Sequence, residues 1–523
     1  MKMKRLWALL LVVCLGATMA SGCGKSEPAA SGTGAGDDKQ AVAEGTQGAK
    51  KEEIAEINVV IISLGPAPAG AKDVENAVNE ITEPKINTHV NLEFIDGGTY
   101  ADKVSLKMIS NEKMDLLLTM PIQAAGFSSL VAQNQLLPLD DLLTEYAPEL
   151  LETVGDFVKA TSYNGHIYAV PNYRVLNSNS YLIMRKDILD NLGLTEKAKN
   201  LSSWSEYEEI IDAVCKNYDI AGISQTDGDG TIITEQGNWT DKDVFAENEA
   251  YDTLGDTYKI IAVDPDTNTV FNYFASERYR AMLERVNSWY QKGYVYKDSA
   301  TSEEQGDTLI KNNVTFSTCV NSEIGVEISR KSSTGYDVVC PEVVKGIITT
   351  GSCTKFTWAV PVTATEPEAA AKFMNLLFTD ADINNLLAWG IEGKDYIVKD
   401  GVATYPEGVD ASNVSYHTAD FLYGNQFLIY PWEGVASNFR EVAKADMEAA
   451  ETSKYLGFSC DTTNITNEIT AVYNVIQEYK SGLESGSVGL ERYDEFISKM
   501  EAAGVDKVVA EYQKQLDAWL AQQ

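Results

Sequence analysis

The chain has 523 residues, 44% of them hydrophobic, with 77 Asp and Glu against 42 Lys and Arg, a formal net charge of −35. Binding to nucleic acid depends on Lys and Arg neutralising phosphates, so a balance this acidic excludes nucleic acid as a partner. The length exceeds what one hydrophobic core usually supports, and two lobes or more are expected.

In chain order, Lys2, Lys4 and Arg5 precede an almost wholly apolar run, Leu6 to Leu15, and the small residues Ala20, Ser21 and Gly22 lead into Cys23. This is the charge, core and cleavage order of a secretory signal. Its apolar run of roughly ten residues is too short for a ~30 Å hydrocarbon layer, which needs about 20. A cysteine at the first mature position resembles the lipobox of bacterial lipoproteins, although Ala20 stands where that pattern has Leu or a larger apolar residue. The resemblance implies that residues 1–22 are removed and that Cys23 is acylated with palmitate. A second acyl group is implied as well, because one chain alone anchors poorly. Loss of the three basic residues takes the net charge from −35 to −38. The bland alternative is an ordinary signal cut nearby with an incidental cysteine. Residues 24–56 hold almost no large apolar side chain and cannot offset the entropy of ordering. With Cys23 they read as a disordered tether, 23–56, reaching roughly 30 Å.

"INVVIISLGP", Ile57 to Pro66, is a β-branched run stopped by Gly-Pro, which predicts a parallel strand covered on both faces. A helix over 70–81, a strand over His89–Asp96, a further helix and a third strand within Met114–Pro121 follow. That alternation predicts an α/β lobe with a mostly parallel sheet. Ligands in such sheets sit at the carboxyl ends of strands, which makes Asp96 a candidate. Between Tyr163 and Leu194 the pattern is a short strand into Pro171, an irregular link, a strand at Tyr181–Met184 and a helix from Lys186, as a crossing between lobes requires. Thr365 and Glu368 have capping-box spacing, ahead of an apolar helix face at Ala370, Phe373, Met374 and Leu377. Val505, Val508, Tyr512, Leu516 and Trp519 form a last stripe, in which Trp519 reads as core.

The order of "NQLLPLDDLL", "YNGHIYAVP", "YLIMRKDILDNLGL", "WYQKGYVYKDSA", "TATEPEAAAKFMNLL" and "WGIEGKDY" resembles the extracellular solute-binding proteins of bacterial ABC importers, particularly the sugar-binding group. "DGVATYPEG" and "EAAGVDKVVAEYQKQLDAWL" are similar to a subgroup of long lipoproteins with its own C-terminal extension. The resemblance covers nearly all of residues 57–523. It implies a two-lobed α/β, periplasmic-binding-protein-like fold, with a hinge and a ligand cleft between lobes that close on the ligand. One lobe would hold residues 57–175 and 352–415; the other would hold 176–351 and 416–523, including the helical extension. The implied partners are a carbohydrate and the transmembrane subunits of a permease, met by a monomer lipid-anchored at the extracytoplasmic face of the membrane.

A sugar offers apolar ring faces and a fringe of hydroxyls, so its site needs flat aromatics beside Asp, Glu, Asn, Gln or Arg. "PNYRV" offers Asn172, Tyr173 and Arg174 at the first crossing; "EQGNWTD" offers Trp239; "YGNQFLIYPWEG" offers Asn425, Gln426, Tyr430, Trp432 and Glu433. Trp239 and Trp432 either face a ligand or pack beneath a loop. Trp204, Trp358 and Trp389 read as core, while Glu392 and Asp395 belong either to the hinge or cleft or to a solvated turn. No cofactor, metal or catalytic residue is expected. His89, His166 and His417 are far apart and unpaired. "TDGDGT" reaches Asn238 where a calcium loop needs Glu, and "DPDTNT" reads as a turn. Phosphate-loop and nucleophile-elbow patterns are missing. Cys215, Cys319, Cys340, Cys353 and Cys460 are sparse and odd in number, with no Cys-x-x-Cys spacing, and read as mostly buried thiols. Two rivals stay open: a surface glycan hydrolase, whose paired carboxylates 77 acidic residues could supply, and a ligand sensor on the same fold.

Overall fold

The computed structural model describes residues 53–121, 125–233 and 238–523. The expected signal, Cys23 and nearly all of the tether lie outside these residues. The chain order of the main strands is β1 (Ala55–Ser63), β2 (Thr88–Asp96), β3 (Leu116–Thr119), β4 (Val170–Pro171), β5 (Asn179–Arg185), β6 (Ala221–Ser224), β7 (Thr315–Ser322), β8 (Val338–Val339), β9 (Glu342–Val344) and β10 (Thr357–Ala359). They divide between two sheets. The first has the order β2-β1-β3-β10-β4 and the second β8-β5-β7-β6, with β9 also on β5.

In the first sheet β1 runs parallel to β2 and β3, in a register that sets Ile57 beside Val90 and Ile62 beside Ile95. Ile57 and Val59 to Ile62 are all buried, as a central strand covered on both faces demands. Helix α1 (Ala71–Ile86) covers it with Val74, Val78 and Thr82, and ends at Asn87, whose φ of 52° closes the last turn. Helix α2 (Pro367–Thr379) buries Ala370, Phe373, Met374 and Leu377, the predicted face. Its start differs from expectation. Thr365 and Glu368 form no capping box; the buried Asp115 carboxylate, next to β3, accepts from Thr365 N at 2.8 Å and Glu366 N at 3.0 Å. A group 250 residues away from Thr365 thus ties down the two residues that lead into the helix.

In the second sheet β5 is antiparallel to β7, which is parallel to β6. Alternate residues of β5 serve opposite faces: Leu182 and Met184 join the larger core of this lobe, Tyr181 and Ile183 a smaller one. The larger core also takes the inner faces of three C-terminal helices, α3 (Thr466–Glu484), α4 (Glu491–Ala503) and α5 (Val505–Leu520). Trp204, Trp358 and Trp389 are core; Trp519 packs at the edge of its lobe. "DPDTNT" makes the turn of a hairpin between strands Ile261–Asp264 and Thr269–Asn272.

Core membership corrects one expected boundary. Tyr416, Leu422, Tyr423, Ile429 and Met447 pack with the first lobe, not the second. They sit in loops and short turns, where no periodicity shows which core they face. The chain therefore crosses between cores three times: after β4, after β9, and near residue 450. The crossings touch. Ile348 donates to Glu451 O and accepts from Ser453 N, both at 2.8 Å. Gly346 lies so close to the first crossing that a Cβ there would sit 2.1 Å from Ser178 O, a space only glycine leaves open.

Candidate functional site

Two adjoining chambers lie where the crossings meet the lobes. One, of about 540 Å³, is bounded by Arg174, Glu323, Phe421, Trp432 and Glu433. The other, of about 530 Å³, runs from Phe127 of the first lobe to the loop Thr253–Lys259 of the second. Leu176, Ser178 and Lys355 line both, which makes the groove continuous. Glu323 follows the carboxyl end of β7, where the sheet rule places ligands.

Arg174 lines the first chamber. Its guanidinium donates to Val175 O at 2.7 Å and Ser352 O at 3.3 Å, lies over the Phe356 ring, and comes within 4.0 Å of Glu323 in the opposite lobe. Its Nε is buried without a partner. Burial raises the Glu323 carboxyl even though Arg174 opposes this. Burial and the Arg174 charge lower the Lys355 ammonium, which water still reaches from the groove, so the effect is moderated.

Trp432 is half-buried. Its ring stands 4.8 Å from Trp389, 4.8 Å from Tyr405 and 4.5 Å from His417. Trp389 is fixed in turn by a hydrogen bond from its indole to Tyr430 O at 3.0 Å. Burial lowers the His417 pKa, favouring the neutral imidazole that packs between the indoles. Glu433 is exposed and accepts from the Thr404 hydroxyl. The result is a braced aromatic face beside a carboxylate, the pairing a sugar ring with its hydroxyls would use.

Arg174, Trp432, Glu433 and the buried Gln426 come together here. The other expected residues do not. Asn172 is buried, pinning the crossing through Phe421 O at 2.9 Å. Tyr173 packs against Phe427 and donates to Glu448 at 3.1 Å. Asn425 caps a short turn at Phe427 N and donates to Phe378 O. Asp96 is exposed at the end of an edge strand, accepts from Gly98 N at 2.9 Å, and lines neither chamber. Trp239, a candidate ligand-binding residue with packing beneath a loop as the alternative, is corrected to a core residue: it is 5% exposed, with ring centroids 4.1 Å from Tyr251 and 5.2 Å from Tyr273. Asn238 beside it does line the second chamber. Asp395 is buried, accepting from Ile391 N and Ser415, while Glu392 is exposed and lines neither chamber.

Sequence reasoning missed Glu323, Lys355, Phe127 and Tyr258. Tyr258 is 41% exposed on the wall of the second chamber. Asp256 shapes the loop that carries it, accepting from Tyr258 N at 3.0 Å, Ile260 N at 2.6 Å and Ile261 N at 3.1 Å. Burial pushes that carboxyl up to about 6. An Asp two residues before the tyrosine was the available signal, and Asx turns of this kind are too common to single it out. Among the described residues, no cluster of three or more His, Cys, Asp or Glu is placed to hold a metal, and Cys215, Cys319, Cys340, Cys353 and Cys460 form no disulfide.

Known proteins share this architecture. A carbohydrate ABC transporter substrate-binding protein of Streptococcus pneumoniae serotype 4 is 22% identical over 470 residues, 88% of this chain and 91% of that protein. The crystal structure of the N-glycan transport solute binding protein NgtS from the same species superposes with a TM-score of 0.75 at 21% identity, covering 89% of this chain and 99% of that one. Its complex with Man5GlcNAc gives 0.64 at 20% identity over 90% and 99%. A human-milk-oligosaccharide (HMO) binding solute-binding protein from Bifidobacterium longum infantis gives 0.59 at 16% identity, again over 90% and 99%. These likenesses show the two-lobed fold. Residues 454–521 match a domain of unknown function, DUF3502. Residues 76–394, more than half of the chain, match the model described as bacterial extracellular solute-binding protein, and the chain belongs to that family, with the extracytoplasmic place its description carries.

Proposed function

We propose that this protein captures an oligosaccharide in the groove between its lobes and delivers it to the permease of an ABC importer. It would act without catalysis, as a monomer held at the membrane by acylated Cys23. The observation that carries this reading is the groove itself. Each of its two joined chambers, about 540 and 530 Å³, falls within the roughly 300–1,000 Å³ of a whole ligand site, so together they suit several linked rings. Trp432 and Tyr258 offer aromatic surface in separate chambers, and Arg174, Glu323 and Lys355 provide polar groups near the junction. The names of the relatives, which bind N-glycans or milk oligosaccharides, support the same ligand class.

A hydrolase would need two carboxylates facing each other across the ligand. In the first chamber Glu323 comes within 4.0 Å of Arg174, an ion pair between the lobes that suits binding. Calorimetry against a panel of mono- and oligosaccharides, peptides and amino acids tests the reading. Saturable heat with an oligosaccharide that is recovered intact is expected; heat with a peptide or amino acid alone would overturn the ligand class. Labelling with radioactive palmitate should follow Cys23 and vanish in Cys23→Ala, and label retained in the variant would overturn the anchor.

A further inference from the structure

The loop Thr226–Thr231 leaves the carboxyl end of β6, on the same sheet edge as Glu323. Helix α3, within the domain of unknown function, closes over it. Lys480 reaches Asp229 at 2.7 Å and Glu484 at 2.9 Å, while Glu484 accepts from Thr231 at 2.6 Å. Gly230, with φ of +83°, lies so near the helix that a Cβ would meet Ser481 O at 2.8 Å. Loop and helix thus form one rigid wall.

Between them is a cavity of about 670 Å³, and Thr257, Tyr258 and Lys259 line both this cavity and the second chamber of the groove. On its rim the Tyr258 ring lies 4.3 Å from that of Tyr473, tilted by 34°, with Tyr258 still 41% exposed. Asp227 and Gln477 line the same cavity. Asp227 is exposed and has no hydrogen-bond or ion-pair partner among the described residues, in contrast to Asp229 beside it. Partial desolvation within the cavity and the neighbouring Asp229 carboxylate raise its pKa. An aromatic pair next to a carboxylate and an amide repeats the pattern of the first chamber, at the far end of the groove.

We infer that the C-terminal domain supplies a second saccharide subsite: the Tyr258–Tyr473 pair takes the face of a sugar ring, while Asp227 and Gln477 hold its hydroxyls. The chain then prefers oligosaccharides long or branched enough to pass Tyr258. This rests on the carbohydrate reading above. The test is calorimetry of the full chain with ladders of manno-, gluco- and galacto-oligosaccharides of one to six units. In the wild type, affinity should climb through the longest members of the ladder that binds. In Tyr473→Ala the long-to-short affinity ratio should fall about tenfold. Gln477→Ala, on an exposed helix position, should lower the same ratio and serves if Tyr473→Ala folds poorly. An unchanged ratio in a folded variant overturns the subsite and leaves carbohydrate capture standing. No binding of any ladder by the wild type overturns both.

Discussion

Trp239 and Trp432 stand in similar text, each a lone tryptophan in a polar loop, and the structure separates them. Tyr251, Phe271 and Tyr273, from the loop and hairpin that follow, surround Trp239, and Arg278 lies 5.2 Å from its ring centroid. Trp432 is braced by Trp389, Tyr405 and His417 but keeps a half-buried place on the groove. The difference teaches that an aromatic in a loop is assigned by the partners that other segments bring to it. Those partners are set by tertiary packing rather than by local pattern.

The largest effect that could break this contrast is on stability. Trp239→Ala should destabilise the second lobe by about 3–5 kcal/mol, the usual cost of emptying a core aromatic site, measured by denaturant unfolding. A change under about 1 kcal/mol together with weaker ligand binding would return Trp239 to the groove.

The loop beyond Trp239 sharpens the contrast electrostatically. Asp256 is 6% exposed, and burial raises its carboxyl from 3.8 to about 6. The fold therefore holds the proton more tightly than the unfolded chain does. Stability from this group is highest below pH 3.8, falls as pH rises towards about 6, and is level above that. The total change is on the order of 3 kcal/mol. Asp256→Asn removes this dependence, so its melting temperature should gain on the wild type between pH 4 and 7. A constant difference across that range would contradict the assignment.

How much could be read in advance follows the same division. β1 was legible because its β-branched run is buried on both faces, and the inner face of α2 because its spacing is helical. The start of α2 was not, since Asp115 reaches it from the residue before β3, 250 residues earlier than Thr365. The lobe boundary failed at Tyr416–Met447, where irregular turns carry the core residues. At the site, Arg174, Trp432 and Glu433 were found through clusters of polar and aromatic residues at a crossing and in a loop. Glu323 and Lys355 escaped because they meet Arg174 from segments 149 and 181 residues further along the chain.

The smallest effect bears on the central claim. Wild type and Trp432→Ala, titrated by calorimetry with the same oligosaccharide at equal folded concentration, should differ about tenfold in Kd, or ~1.4 kcal/mol, with melting nearly unchanged. Equal affinity in the two proteins would contradict capture of the sugar against Trp432 in the interlobe groove.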